Sequence, residues 1–301
     1  TFFDDYQTRS DAARDQDMEV INLYNSSDMK IHSTGKEEEY SGGNEAFRMK
    51  ASENWQRLYN SLTNEQRKSW DAAYEPKNRA FLEANLSGIE LAKWKYQRYI
   101  KDYLRCVASV DDNIGRLLDY LDEHGLTENT VVIYTSDQGF YLGEHGWYDK
   151  RFMYEESLGM PLIIRYPQEI SAGMTLDEMV LNLDFCPTIL DYAGVEVPAE
   201  IQGESLRSLL RGHPSPQWRQ MIYYHYYEYP HGWHDVKRHY GIRTQNFKLI
   251  HFYEDIDAKE LYDLQQDPHE LNNVYDRTQF NGIQNELETQ LKELKNYYMD
   301  Y

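Results

Sequence analysis

Residues 89–124 carry apolar side chains at Ile100, Tyr103, Leu104, Val107, Val110, Ile114, Leu117, Leu118 and Leu121. This i, i+3, i+4, i+7 recurrence predicts one long helix with a single core-facing stripe. Gly125 supplies its stop, and Thr130-Val131-Val132-Ile133-Tyr134-Thr135 comes almost at once. A continuous β-branched run suits a strand buried on both faces, as in a parallel sheet covered by helices. Pro161–Tyr166 reads the same way and is closed by Pro167, and residues 183–194 read as a helix with Pro187 tolerable near its first turn. Helix, strand, strand, helix in this order implies α/β architecture.

Residues 1–29 are polar and mixed, without a clear period. Residues 44–84 carry helical patterns around Trp55, Leu58, Leu62, Trp70 and Phe81, with a break expected near Pro76 and a loop at Ser41-Gly42-Gly43 before them. The character changes after residue 213. His213-Pro214-Ser215-Pro216 is a loop, and Met221–Tyr229 is densely aromatic. Tyr240–Thr244, Phe247–Tyr253 and Leu261–Leu264 then read as short strands. Ile283, Leu287, Leu291, Leu294 and Tyr298 share one face of a closing helix. The chain therefore divides into 1–213 and a small α+β unit, 214–301, within the two domains that 301 residues allow.

Composition excludes some functions. No apolar run approaches the ~18 residues of a membrane span. Thirty-one Lys+Arg against 51 Asp+Glu give a net charge of −20, which argues against nucleic-acid binding. Cys106 and Cys186 sit in apolar helical settings and are expected to be small buried hydrophobes. The 27 tyrosines include rings of the kind that line sugar-binding surfaces, although such rings are equally ordinary core residues.

The chemistry gathers after the first strand. Asp137, in Thr135-Ser136-Asp137-Gln138-Gly139, stands at the carboxyl end of that strand, where open sheets place their sites. A carboxylate beside an amide oxygen is a plausible pair of hard ligands for Ca²⁺ or Mg²⁺. Alone, an Asx-type turn is the better reading. Here Leu142-Gly143-Glu144-His145-Gly146-Trp147 comes next, then Lys150-Arg151, Tyr154-Glu155-Glu156-Ser157 and Pro161-Leu162-Ile163-Ile164.

This ordered stretch, Thr135–Pro167, resembles the type I, formylglycine-dependent sulfatases. Asp184–Leu190 with Ala193-Gly194, Gly241–Thr244, Phe247–Ile250, Glu260–Leu264 and Asp267–Asn273 resemble later parts of that family. The resemblance implies the C-terminal part of an alkaline phosphatase-like α/β sandwich with a mostly parallel central sheet. The small subdomain would then carry an antiparallel sheet and one long helix. It also implies Ca²⁺ ligands at Asp137 and Gln138 and a sulfate contact at Lys150. His145, between them, is either a proton donor near the site or a residue that orients the loop. The aromatic segment from Tyr224 to Pro230 and His239-Tyr240-Gly241 look closest to N-acetylglucosamine-6-sulfatases acting on glycosaminoglycans. His225, His234 and His239 are candidates for sugar binding; Arg243 is a candidate too, or mere solvated charge.

The formylglycine precursor motif is missing: Cys106 is followed by Val-Ala-Ser and Cys186 by Pro-Thr-Ile. Asp4-Asp5 reads as a solvated pair and Asp111-Asp112 as the polar face of the long helix. The expectation is the C-terminal portion of a sulfatase, inactive without its N-terminal portion, from a periplasmic, secreted or lysosomal enzyme. The alternatives are a phosphatase or phosphonate monoester hydrolase of the same superfamily, or a non-catalytic carbohydrate-binding fragment.

Overall fold

In the computed structural model, which describes residues 1–25, 27–31, 45–231 and 234–300, helices dominate the first half and sheet the second. Two short helices, α1 (Asp11–Arg14) and α2 (Val20–Leu23), interrupt the polar N-terminal segment. Helices α3 (Glu45–Ser61), α4 (Asn64–Ala84) and α5 (Gly88–Glu123) come after them. The break falls at Thr63, not at Pro76, which lies inside α4. The cause is a capping box: Thr63 Oγ1 accepts the Gln66 N–H at 3.2 Å while Gln66 Oε1 accepts the Thr63 N–H at 2.8 Å. The Ser41-Gly42-Gly43 loop lies outside the described residues.

Helix α5 matches its expected span, but its stripe is not core-facing. Leu121 is buried, whereas Leu104, Val107, Val110 and Leu117 are exposed, Leu117 at 55%. The buried anchors lie in its first half, where Ala92, Lys95, Arg98, Tyr99 and Asp102 turn inwards. Cys106 and Cys186 are likewise exposed, not buried.

Strands β1 (Val132–Thr135), β2 (Tyr141–Leu142) and β3 (Tyr148–Asp149), helix α6 (Glu155–Leu158), strand β4 (Leu162–Arg165) and helices α7 (Phe185–Tyr192) and α8 (Arg207–Leu210) complete the first part. Strand β1 pairs with β4 antiparallel, with Tyr134 opposite Ile163. No parallel pair occurs among the described residues. One face of this ribbon, Leu162 and Ile164, packs on Leu206, Leu209, Leu210 and Trp218. The opposite face stays open, with Ile163 63% exposed, so the expectation of burial on both faces is corrected.

Strands β5 (Met221–Tyr226), β6 (His239–Thr244), β7 (Phe247–Phe252) and β8 (Ala258–Asp263) form one antiparallel sheet in sequence order, covered by α9 (Asn281–Tyr297). Alternation sends Ile242, Leu249 and Leu261 under Leu287 and Leu291 of α9. The opposite face packs Tyr224, Tyr226, Ile250, Phe252 and Tyr262 against Trp147, Phe152, Met153 and Tyr154. Tyr6, Ala12 and Met18 join this second cluster, so the first residues of the chain lie against its last sheet.

Candidate active site

Strand β1 ends at Thr135, and the chain leaves the ribbon through an exposed Asp137 and a half-buried Gln138. Gly139 is then locked. Its N–H donates to the Ser157 carbonyl at 2.9 Å, and a Cβ would stand 2.1 Å from the Glu156 carbonyl oxygen and 2.4 Å from that of Gly159. Only glycine permits this backbone approach.

The next element, the β2–β3 hairpin, is tight. Leu142 N–H donates to the Glu144 carboxylate at 2.7 Å and Gly143 N–H to the Trp147 carbonyl at 3.0 Å. Three non-glycine residues in and after it take positive φ: His145 (58°), Asp149 (79°) and Phe152 (73°). Such conformations cost energy and cluster at functional sites. Asp149 anchors the Lys150 loop. One carboxylate oxygen accepts the Lys150 N–H at 2.6 Å and the Arg151 guanidinium at 2.6 Å, while His234 Nε2 lies 2.8 Å from the other. Burial opposes the charge on Asp149, but His234 and Arg151 outweigh it and hold the carboxyl below its usual range. Lys150 itself is exposed, and its ammonium pairs with no carboxylate among the described residues.

Ser157 ties the two halves of this arrangement. Its hydroxyl donates to the Lys150 carbonyl at 2.6 Å, and its own carbonyl receives the Gly139 N–H. The backbone beside Asp137-Gln138 and the backbone of Lys150 are thus fixed to one residue. Sequence reasoning gives Ser157 no role, since a serine inside a short helix carries no signal of its own.

The other candidates fare differently. His145 is wholly buried. Its Nδ1 lies 3.0 Å from Asp4 Oδ2 and its Nε2 3.4 Å from Glu156 Oε2. Burial disfavours its charge, yet the two carboxylates overcome this and raise its pKa. Of the two readings open for it, the loop-orienting one fits this burial. Asp4, expected to be solvated, has a side chain only 5% exposed, and Arg9 Nη2 contacts it at 2.6 Å; only Asp5 stays in solvent. Asp111 and Asp112 are exposed, as expected.

His225 lies on the sheet face that carries Tyr223, towards α9, with Nε2 2.7 Å from the Tyr253 hydroxyl and Nδ1 against Asp300. Arg243 pairs with Glu155 at 3.0 Å and is not solvated charge. His239 is fully buried among Phe152, Tyr226 and Phe252. Its Nδ1 faces the Lys237 carbonyl at 2.8 Å, and its Nε2 has no hydrogen-bond partner among the described residues. Of the four residues proposed for the sugar, His234 alone joins the Lys150 loop.

Burial lowers the His239 pKa from 6.5 to about 4. The unfolded chain therefore binds a proton that the folded one refuses between those values. Stability is full above about pH 6.5 and falls as pH drops towards 4, by on the order of 3 kcal/mol. Urea denaturation across this range checks it: His239→Phe should flatten the slope, and an unchanged slope counts against His239 as its source.

Two family models match the chain: Sulfatase over residues 27–195, and N-sulphoglucosamine sulphohydrolase, C-terminal, over 143–297. It is 48% identical over 301 residues to an N-acetylglucosamine-6-O-sulfatase of Bacteroides thetaiotaomicron, covering 99% of this chain and 52% of that relative. The solved structure of BT4656 in complex with its substrate D-glucosamine-2-N,6-O-disulfate superposes with a TM-score of 0.89 at 48% identity, covering 99% of this chain and 59% of that one. A phosphonate monoester hydrolase from Silicibacter pomeroyi matches with a TM-score of 0.62 at 27% identity, covering 72% of this chain and 44% of that one. These neighbours bear out the alkaline phosphatase-like fold. The chain spans about half the length of the curated relative that it matches from end to end.

Proposed function

Because this chain belongs to the sulfatase family, we propose that the protein containing it hydrolyses sulfuric esters, removing the 6-O-sulfate of N-acetylglucosamine in glycosaminoglycans. The observation that carries this reading is the 48% identity to an N-acetylglucosamine-6-O-sulfatase over 99% of the chain. A second support is geometric: Ser157 anchors both the turn that bears Asp137-Gln138 and the loop that bears Lys150.

A sulfate ester gathers negative charge on its oxygens as the S–O bond breaks, so a site needs fixed cations aimed at them. The Lys150 ammonium, uncommitted to any carboxylate among the described residues, is free to supply one. Asp137 and Gln138 would hold Ca²⁺, which when bound supplies Lewis-acid stabilisation of those oxygens. The fit is chemical but incomplete. Two hard oxygens suit calcium, which takes 6–8, and no group of three or more His, Cys, Asp or Glu side chains suited to a metal forms among the described residues. The nucleophile, a formylglycine, belongs outside this chain, whose two cysteines lack the motif.

The remainder of the enzyme is proposed as the partner that completes the site. The open apolar face of α5 and of the β1–β4 ribbon supports this, since a surface bearing Leu104, Val107, Val110, Leu117 and Ile163 is costly to leave in water. In this reading residues 1–213 belong to the catalytic domain and 214–301 form its small subdomain. A glycan substrate supports a periplasmic, secreted or lysosomal setting. His234 is retained for the sugar side of the site because it meets the Lys150 loop through Asp149.

The test is sulfate release from N-acetylglucosamine-6-sulfate by the full-length protein and by this chain alone. The full-length protein should be active, should lose activity to a calcium chelator and should regain it with added Ca²⁺; the chain alone should be inert. Cleavage of phosphate or phosphonate esters in place of sulfate esters would overturn the reaction assigned. Sugar binding by the chain alone, indifferent to chelation, would point to a non-catalytic module.

A further inference from the structure

The N-terminal segment does more than fill the core. Arg9 is 3% exposed, and its guanidinium reaches Asp4 Oδ2 at 2.6 Å and His145 Nδ1 at 2.8 Å. Both cationic groups converge on the same Asp4 oxygen, because His145 Nδ1 lies 3.0 Å from it. The rest of the guanidinium lies over the Tyr154, Tyr6 and Trp147 rings, 5.0, 5.6 and 5.9 Å from their centroids, and its Nε and Nη1 have no hydrogen-bond partner among the described residues. The Tyr6 hydroxyl donates to the His145 carbonyl, fixing the backbone where φ is 58°. On its far side His145 meets Glu156. That residue immediately precedes Ser157, and its carbonyl closes over Gly139.

We propose that Asp4 and Arg9 are positioning residues for the sulfatase site, acting through His145 and Glu156 to hold the Ser157 bridge between Gly139 and Lys150. Four side chains of balanced charge, two positive and two negative when His145 is protonated, run from the N-terminal segment to α6. Removing one leaves another buried without its counter-ion, and the strain falls on the backbone that carries the bridge. A misplacement of about 1 Å at a site of this kind costs about 10²-fold in rate. The kinetic part of the proposal rests on the sulfatase reading; the structural part does not.

Two measurements on the full-length protein test it. The first is hydrogen exchange at the Gly139 amide in Asp4→Asn and Arg9→Met. Exchange there should quicken by roughly tenfold or more while Leu249 and Ile250 in the sheet keep their protection. Unchanged exchange at Gly139 in folded variants overturns the proposal. If Arg9→Met does not fold, Arg9→Lys replaces it, and an intermediate rate is expected because the charge beside Asp4 survives. The second is a double-mutant cycle on sulfate release. Asp4→Asn alone should lower kcat by about 10²-fold with little change in KM. In a Lys150→Ala background it should add little. Fully additive losses would mean that Asp4 does not act through Lys150. If the unaltered protein releases no sulfate, the sulfatase reading falls, and the exchange measurement alone decides the positioning.

Discussion

In the full-length protein, if it is the sulfatase proposed above, Lys150→Ala should lower kcat/KM for N-acetylglucosamine-6-sulfate by roughly 10²–10³-fold, the cost of removing one preorganised charge from a developing oxyanion. The loss should fall mainly on kcat, because the charge it offsets grows towards the transition state. The structure also predicts what should not change. Lys150 is exposed and unpaired among the described residues, so truncation should move folding stability by no more than about 0.5 kcal/mol. That separation makes the experiment decisive: equal kcat/KM would remove Lys150 from the site, and a parallel collapse of stability would show that it holds the loop instead. Its neighbour Arg151 should not replace it, because it is committed to Asp149 at 2.6 Å and Glu228 at 3.4 Å.

Lys248→Met should have the largest effect on stability. Lys248 on β7 is wholly buried, with its ammonium 2.7 Å from the equally buried Glu270 and 2.8 Å from Glu155. The Lys248–Glu270 contact is an ion pair out of line for a hydrogen bond. The two carboxylates differ in their escape routes. Glu155 also pairs with Arg243, and although burial opposes its charge, Lys248 and Arg243 bring its pKa down to about 2. Glu270 has no second cation among the described residues; burial raises its pKa despite Lys248, and the nearby Glu155 adds to the rise. Removing the lysine leaves a buried carboxylate alone, which costs about 3–5 kcal/mol. Glu270→Gln in the same chain should recover much of that loss, since the orphaned charge is gone. Chemical denaturation of the single and double variants settles it; a loss below about 1 kcal/mol for Lys248→Met would show that Glu270 takes up a proton at little cost.

The elements were legible wherever their pattern was local. Helix α5, strands β1 and β4 and the closing α9 all fall within a few residues of their expected spans. Pro76 is the louder breaker signal in the sequence, yet the break falls where Thr63-Asn64-Glu65-Gln66 spells a capping box. What periodicity cannot give is the partner of an apolar face: the stripe Leu104, Val107, Val110 and Leu117 is apolar as its spacing predicts, but it is exposed and not covered. The same limit shaped the site. Asp137, Gln138 and Lys150 stand in one ordered stretch, which is what makes them candidates. Asp4 and Arg9 lie more than a hundred residues from His145 and approach it only through the fold. The histidines of the aromatic segment alternate in and out along β5 and β6: His225 points towards α9, and His239 faces the Lys150 loop but is sealed beneath Phe152.

The packing of the first residues against the last sheet has a practical consequence. Thr8 Oγ1 donates to the Leu271 carbonyl at 3.0 Å and accepts the Asn273 N–H at 3.0 Å, and the Ser10 hydroxyl and N–H both donate to the Glu260 carboxylate. A protease that nicks the His213–Pro216 loop would divide the polypeptide but not the particle, because the piece ending there still grips strand β8 with its opposite end. The boundary visible in the sequence is therefore no place to cut when dividing the protein for expression: a product beginning at residue 214 would lose the side chains that close its sheet.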